Sequence, residues 1–255
     1  MRGLKGKIAA VTGGGSGIGR SGALRLAEEG CSVAVLDWNE PSAIAVAAEI
    51  TKAGGKAVAI TVDVSKEDQV EAAFARVLQA FGRLDILVSK AGIFSGERDK
   101  KVGELPKAVW EEIVGVNLTG MFLACKHGVN AIRKTAGKGC VVITGSPTGM
   151  FGVTPASTSY SSSKGGVHGL ARLMAIDYAP EGIRVNVVVP GFTLSPIVAE
   201  LVADPKVLAP LVASIPLKRG AQPEEMSGAI AFLASDDASY MTGSIMMVDG
   251  GLTAL

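Results

Sequence analysis

Tyr160 and Lys164 stand four positions apart in the run of small residues from Ser157 to Gly166. If that run is helical, the phenol and the ammonium share one face, a turn apart. A protonated amine beside a phenol favours the phenolate and lowers a pKa that starts at about 10, which gives a proton-transfer group near neutral pH. Taken alone, the same run also reads as a Ser/Gly-rich loop that happens to contain a Tyr and a Lys.

A second constellation is built from glycine. Thr12-Gly13-Gly14-Gly15-Ser16-Gly17-Ile18-Gly19 follows a short apolar run and leads into a helical pattern from Arg20 to Glu29. Such a turn offers free N–H groups and the positive end of a helix dipole to a pyrophosphate. The informative spacing is Gly13, Gly17, Gly19. The literal G-x-G-x-x-G match at Gly17, Gly19 and Gly22 starts late and ends inside the helix. Asp37 closes the next apolar run, where a dinucleotide fold places the acid that binds the adenosine ribose hydroxyls, with Trp38 beside it. Two unit charges about 4 Å apart interact by about 4 kcal/mol at an effective dielectric near 20, so a carboxylate here opposes a 2′-phosphate and implies NAD. Asp37 as a strand-end turn former is the plainer alternative.

These groups need a scaffold, and the apolar pattern supplies one. Runs of strand length recur at Lys7 to Thr12, Ser32 to Asp37, Ala57 to Val64, Leu84 to Ser89, Cys140 to Thr144, Arg184 to Val189 and Ser244 to Val248. Continuous hydrophobicity, as in Val187-Val188-Val189, implies strands buried on both faces and hence a parallel sheet. Helical periodicity fills Ser42 to Ala53, Glu67 to Phe81, Lys107 to Lys134 and Glu224 to Ala234, with Gly54-Gly55 and Gly82 at C-terminal cap positions. The expected class is α/β: one domain over residues 1–255, doubly wound and Rossmann-type, with a seven-stranded parallel sheet flanked by helices. Residues 192–217, cut by Pro196, Pro205, Pro210 and Pro216, read as an apolar lid beyond a strand's carboxyl end, or else as a helical excursion packed on a partner subunit.

Bulk composition narrows the classes. The chain has 255 residues, 48% of them hydrophobic, with formal net charge +1, so no field recruits nucleic acid or an anionic membrane. No uninterrupted apolar span of about 18 residues and no signal-type N-terminus is evident, which points to the cytoplasm. Cys31, Cys125 and Cys140 lie far apart without metal-ligand spacing and read as buried reduced thiols. No metal site is expected. His127 and His168 read as surface or packing residues, and Arg98-Asp99-Lys100-Lys101 as a solvated charge cluster rather than a substrate clamp.

Over nearly its whole length the chain resembles the roughly 250-residue branch of the short-chain dehydrogenase/reductase family. Thr12-Gly13-x-x-x-Gly17-Ile18-Gly19 is similar to that family's cofactor loop, Asp63-Val64 to its adenine contact, and Asn117-Leu118-Thr119-Gly120 to its Asn-bearing helix segment. Ser146, Tyr160-x-x-x-Lys164 and Pro190-Gly191 complete the set. The resemblance implies Tyr160 as acid/base, Lys164 lowering its pKa and binding the nicotinamide ribose, Ser146 bonding the substrate oxygen, and Asn117 holding a water that links Lys164 to solvent. It also implies a cofactor site made of Gly13, Gly15, Ser16, Gly17, Ile18, Gly19, Asp37, Trp38, Asp63, Val64, Ser89, Ala91, Gly92, Tyr160, Lys164, Pro190, Gly191, Thr193 and Ser195. Ser16 stands where NADP-preferring relatives often carry a basic residue, in agreement with Asp37.

Two departures stand out. Ser89-Lys90-Ala91-Gly92 replaces the usual Asn-Asn-Ala-Gly, which puts a positive charge near the adenosine half of the site. The interval from Ser146 to Tyr160 is one residue longer than the family's, with Pro147 after Ser146.

The residues expected to wall the substrate, among them Phe94, Met150, Phe192, Ile197, Val198 and Leu201, are mostly apolar. The expected activity is NAD(H)-dependent interconversion of a small to medium hydrophobic secondary alcohol and its ketone. A 3-oxoacyl thioester reductase, a polyol or sugar dehydrogenase, and a non-catalytic nucleotide-binding scaffold are the alternatives. The expected partners are a small-molecule substrate and further copies of the chain, with a homotetramer favoured by the family resemblance of the C-terminal run.

Overall fold

The computed structural model describes residues 1–199, 203 and 205–254. Among these, seven strands form one parallel sheet: β1 (Ile8–Thr12), β2 (Ser32–Asp37), β3 (Lys56–Thr61), β4 (Ile86–Ser89), β5 (Gly139–Thr144), β6 (Ile183–Pro190) and β7 (Ile245–Val248), in the order β3-β2-β1-β4-β5-β6-β7. Every pairing is parallel, with Val11 opposite Val35 on one side and Val88 on the other. The central strands are buried on both faces, which is why their sequences run apolar without alternation.

The helices are α1 (Gly17–Glu28), α2 (Glu40–Lys52), α3 (Glu67–Phe81), α4 (Lys107–Val114), α5 (Met121–Thr135), α6 (Thr158–Tyr178), α7 (Pro205–Ser214) and α8 (Pro223–Ala234). One core layer places Phe74, Met121, Ile132 and Val167 on one side of the sheet; the other places Leu26, Val46, Ile50 and Ile230 on the opposite side. Gly82 takes a left-handed φ of 77° at the end of α3, as its cap position requires.

Three differences from the expected elements have a local cause. β3 stops at Thr61 rather than Val64: it is an edge strand, and beyond Thr61 the backbone turns at Asp63, whose Oδ1 accepts from the Ser65 N–H and hydroxyl at 2.9 and 2.8 Å. β4 begins at Ile86 because the Asp85 carboxylate accepts from Ile8 N, tying β4 to β1 through a side chain first. The stretch from Lys107 to Thr135 is broken by a π-helical segment, Gly115–Gly120. By length and composition this stretch could cross a bilayer, a property the sequence reading did not register. Many of its apolar side chains, including Ile113, Met121, Val129 and Ile132, are instead packed into the protein, while Phe122 is exposed.

The expected lid contains a 3₁₀ turn (Pro196–Val198) and α7, with Pro210 inside that helix. Leu201 lies outside the described residues. All three cysteines are buried free thiols, with burial pushing Cys31 and Cys125 up to about 12 and Cys140 up to about 11.

Candidate active site

The cleft opens at the carboxyl ends of the central strands, where the β1 and β4 turns meet. Gly13 has φ +65°, and a Cβ there would fall 2.9 Å from Ala91 Cα. Gly19 lies closer still to its surroundings, since a Cβ would sit 1.9 Å from the Gly13 carbonyl oxygen. Only glycine lets the first turn of α1 come so near the loop that precedes it. Gly17 has φ +50° and faces Ser195, whose Cβ would be 3.2 Å from an added methyl. The Pro190–Ser195 segment therefore closes over the glycine turn, held by mutual backbone bonds between Phe192, Leu194 and Ala221.

Asp37 is buried, and its carboxylate already works inside the fold. Oδ2 accepts from Gly15 N at 2.8 Å and Oδ1 from Asn39 N at 2.9 Å. It braces the glycine turn as well as ending β2. Trp38 next to it is 76% exposed, so its indole has little to pack on. Val64 is buried against Gly120, where an added Cβ would lie 2.7 Å from Val64 Cγ2. Ser89, expected to touch the cofactor, is only 1% exposed, and its hydroxyl is buried without a hydrogen-bond partner among the described residues. Its side chain is thus directed away from the cleft.

Tyr160 and Lys164 do lie one turn apart, near the start of α6. The cleft is lined by both, with Ser146, Thr144, Ile18, Gly92, Thr193 and Ser195. Ser146 follows β5 and caps a 3₁₀ turn, Pro147–Gly149, its Oγ 3.0 Å from Thr148 Oγ1. Gly149 seats this turn on α6, because a Cβ would come within 2.6 Å of the Lys164 carbonyl carbon.

Lys164 also has a partner in the fold. Its Nζ donates to the Thr144 carbonyl at 2.9 Å and stands 5.8 Å from the Tyr160 ring centroid. Burial raises the Tyr160 pKa and the neighbouring Ser146 hydroxyl opposes that rise. Burial, and then repulsion from Lys90, bring Lys164 itself down to about 7. The Thr144 carbonyl anchors the ammonium beside the phenol.

Asn117 is fully buried within the π-helical segment. Its Oδ1 accepts from Ile93 N at 2.7 Å and its Nδ2 donates to Ile93 O at 2.8 Å, pairing with the loop after β4 as a strand would. A longer contact reaches Ser163 Oγ at 3.4 Å. These bonds hold the carboxamide against the loop after β4.

Two residues set aside in the sequence belong beside the site. Asp99 is 2% exposed rather than solvated: Oδ1 accepts from Ser159 N and Oγ at 3.0 and 3.1 Å, and Oδ2 accepts from Tyr160 N at 3.0 Å. It caps α6 from outside the helix. Phe94, in the same loop, sets its ring edge-on to Tyr160 at 5.2 Å. His168 continues the face of Tyr160 and Lys164 another turn along α6, and its Nε2 accepts a 3.4 Å bond from Ser146 N. Gly145 permits that approach, since a Cβ would lie 2.2 Å from the ring nitrogen. The spacing Tyr160, Lys164, His168 was available in the sequence; the contact to Ser146 was not.

A family model described as Enoyl-(Acyl carrier protein) reductase matches residues 13–253. The chain belongs to the short-chain dehydrogenase/reductase family. As a member of that family it is an oxidoreductase whose Rossmann-type fold binds a nicotinamide cofactor. It is 44% identical over 249 residues to a cis-4-hydroxycyclohexanecarboxylate dehydrogenase of Sinomonas cyclohexanicum, covering 98% of this chain and 97% of that one. It is 40% identical over 248 residues to a cyclohexanol dehydrogenase of Acinetobacter sp. (strain SE19), covering 97% and 95%. Among solved structures, a short-chain type dehydrogenase/reductase from Mycobacterium marinum superposes with a TM-score of 0.92 at 36% identity, covering 99% and 97%. A gluconate 5-dehydrogenase from Burkholderia cenocepacia J2315, solved in complex with NADP and tartrate, gives 0.92 at 31% identity, covering 98% and 96%. The glycine positions described above, which a side chain would fill, suit a short-chain dehydrogenase/reductase cofactor lying along the turn.

Proposed function

We propose that this protein interconverts a hydrophobic secondary alcohol, cyclic or aryl-substituted, with its ketone, using NAD. The observation that carries the reading is the convergence of Ser146, Tyr160 and Lys164 on one cleft whose outer wall is Phe192, Ile197 and Val198. Three polar groups define where an oxygen atom sits, and apolar side chains define what carries it.

The glycine turn and Asp37 would hold the adenosine half of the cofactor, and Lys164, Thr193 and Ser195 the nicotinamide half. When bound, the nicotinamide accepts or supplies the hydride. Tyr160 takes the proton of the alcohol as phenolate, or returns one to the ketone oxygen as phenol. Ser146 donates to that oxygen as charge develops on it, an arrangement that can contribute a few kcal/mol. Lys164, with its pKa near 7, holds a proton next to the phenol and bonds the nicotinamide ribose. Asn117, His168 and Asp99 hold the loop, the Ser146 backbone and the α6 terminus in register. Residues 192–199 and 205–217 would form a lid over the substrate.

The preference for NAD rests on the position of Asp37, whose buried carboxylate would face a 2′-phosphate. A homotetramer is supported by the exposed apolar side chains Leu173 and Ile176 on α6 and Phe122 on α5. The two cyclohexane-ring dehydrogenases among the relatives support the cyclic alcohol.

The test follows NAD and NADP reduction with a panel of cyclic and aryl secondary alcohols, polyols and 3-hydroxyacyl thioesters. Higher kcat/KM on the cyclic or aryl alcohols with NAD is expected; a strong preference for thioesters or polyols would replace this substrate class. Asp37→Ala should narrow the NAD/NADP ratio of kcat/KM by roughly tenfold or more, given about 4 kcal/mol of repulsion before screening. An unchanged ratio would remove Asp37 from the cofactor pocket.

A further inference from the structure

Lys90 lines the cleft with Lys164, Tyr160 and Thr193, yet the chemistry above does not use it. Its backbone is fixed on the glycine turn, Lys90 N donating to Thr12 Oγ1 at 3.0 Å. Its stem runs beside Gly13, with Cδ 3.5 Å from where a Cβ on that glycine would be. The side chain is half-buried, and its ammonium makes no hydrogen bond or ion pair with any described residue. Lys164, the neighbouring cation, has the Thr144 carbonyl. An ammonium held in a concave site without an acceptor is poised for a ligand that brings one.

The charges around Lys90 indicate which part of a ligand that is. Burial lowers the Lys90 pKa and attraction to Asp37 opposes this, while Lys90 in turn lowers that of Lys164. Its stem passes Gly13 in the turn that Asp37 braces through Gly15 N, and it lines the cleft together with Lys164, so it lies between the Asp37 end and the Lys164 end. If Asp37 takes one ribose of a dinucleotide and Lys164 the other, the group between the riboses is the diphosphate. An ammonium on a flexible stem suits it as a point charge.

We propose that Lys90 is a cofactor-binding residue whose ammonium takes the diphosphate of the dinucleotide beside the glycine turn. This rests on the cleft being the dinucleotide site, as argued under the proposed function. Lys90→Gln and Lys90→Asn, titrated with NADH and with ADP-ribose by calorimetry, should each raise Kd about tenfold and flatten its dependence on salt, whereas Lys90→Arg should stay near wild type. In the wild type, ADP-ribose should protect Lys90 from reductive methylation, read by mass spectrometry, and adenosine should not; this arm stands even if the variants misfold. Unchanged Kd and salt dependence in folded variants, or no protection by ADP-ribose, overturns the proposal. A raised KM for carboxylate-bearing alcohols with NADH affinity intact also overturns it, making Lys90 a substrate residue. Failure of the wild type to bind either NADH or ADP-ribose would overturn the dinucleotide reading itself.

Discussion

Tyr160 can act as a base only if its surroundings favour the phenolate, and in this structure burial works against that. The proposed site corrects the balance through Ser146 and through a charge on Lys164, so the phenol is the group without which turnover stops. Tyr160→Phe is expected to bind NADH with Kd within about twofold of wild type and to lose at least two orders of magnitude in kcat, as removal of a positioned acid/base does. Steady-state rates paired with NADH fluorescence titration check both halves. His168 carries a separate prediction. Burial, then the charges of Lys164 and Arg172, hold its pKa down to about 4 from 6.5. Above pH 6.5 the ring is neutral in folded and unfolded chains alike. As pH falls from 6.5 toward 4, the unfolded chain gains a proton that the folded one does not, so stability is lost over that window, by on the order of 3 kcal/mol. Urea unfolding of wild type and His168→Gln at pH 7 and pH 4.5 should show the wild type losing more; parallel losses would mean another group titrates. The contrast with the sequence is instructive here. The glycines at 13, 17 and 19 were legible because backbone closeness dictates residue type. His168 was not, because its partner is a main-chain N–H 22 positions away.

At the scale of elements, α6 depends on a cap it does not itself contain. Ser157 and Thr158 could each have served, but the Asp99 carboxylate from the loop after β4 satisfies the first N–H groups instead. Thr158 Oγ1 turns to donate to the Lys100 carbonyl at 2.7 Å, and Arg98 pairs with Glu112, so the loop is fastened at both sides. Asp99→Ala removes an acceptor from three buried donors and should cost about 1–3 kcal/mol, with Asp99→Asn costing less because its Oδ1 still accepts. Chemical denaturation of both variants measures this. Equal stability of Asp99→Ala and wild type would show that water replaces the cap. A four-residue charge cluster gives no sign that its second member is buried, since that follows from how the loop folds back on α6. β3 was misjudged for a related reason: apolar Val62 and Val64 continue the strand pattern, while the chain leaves the sheet to pack Val64 on Gly120.

For the whole molecule, seven parallel strands were legible because buried parallel strands read as uninterrupted apolar runs between helical periods, whereas their order came only with the structure. A tetramer is expected only through family resemblance. Ile176 and Leu173 are 72% and 58% exposed on the helix that also carries Tyr160. If that face joins copies of the chain, Ile176→Glu with Leu173→Glu should convert a tetramer into smaller species in light scattering, because like charges would meet across a symmetric contact. An unaltered mass would place the interface elsewhere.

The π-helical segment Gly115–Gly120 has a consequence for which changes in chain length this fold can accept. A π-turn holds one more residue than the α-turn it replaces, so it offsets the phase of α4 from that of α5 by about 100°. The offset lets α4 pack on α6 while α5 packs on the sheet, and Asn117 sits at the step between them. Removing any one of the six residues would let an unbroken α-helix form, with better local hydrogen bonds, and would swing either Ile113 or Met121 out of its buried position. The segment therefore functions as a vernier: it sets the angular register between two halves of one helical run, and a single-codon deletion there would disturb the protein more than several point changes nearby.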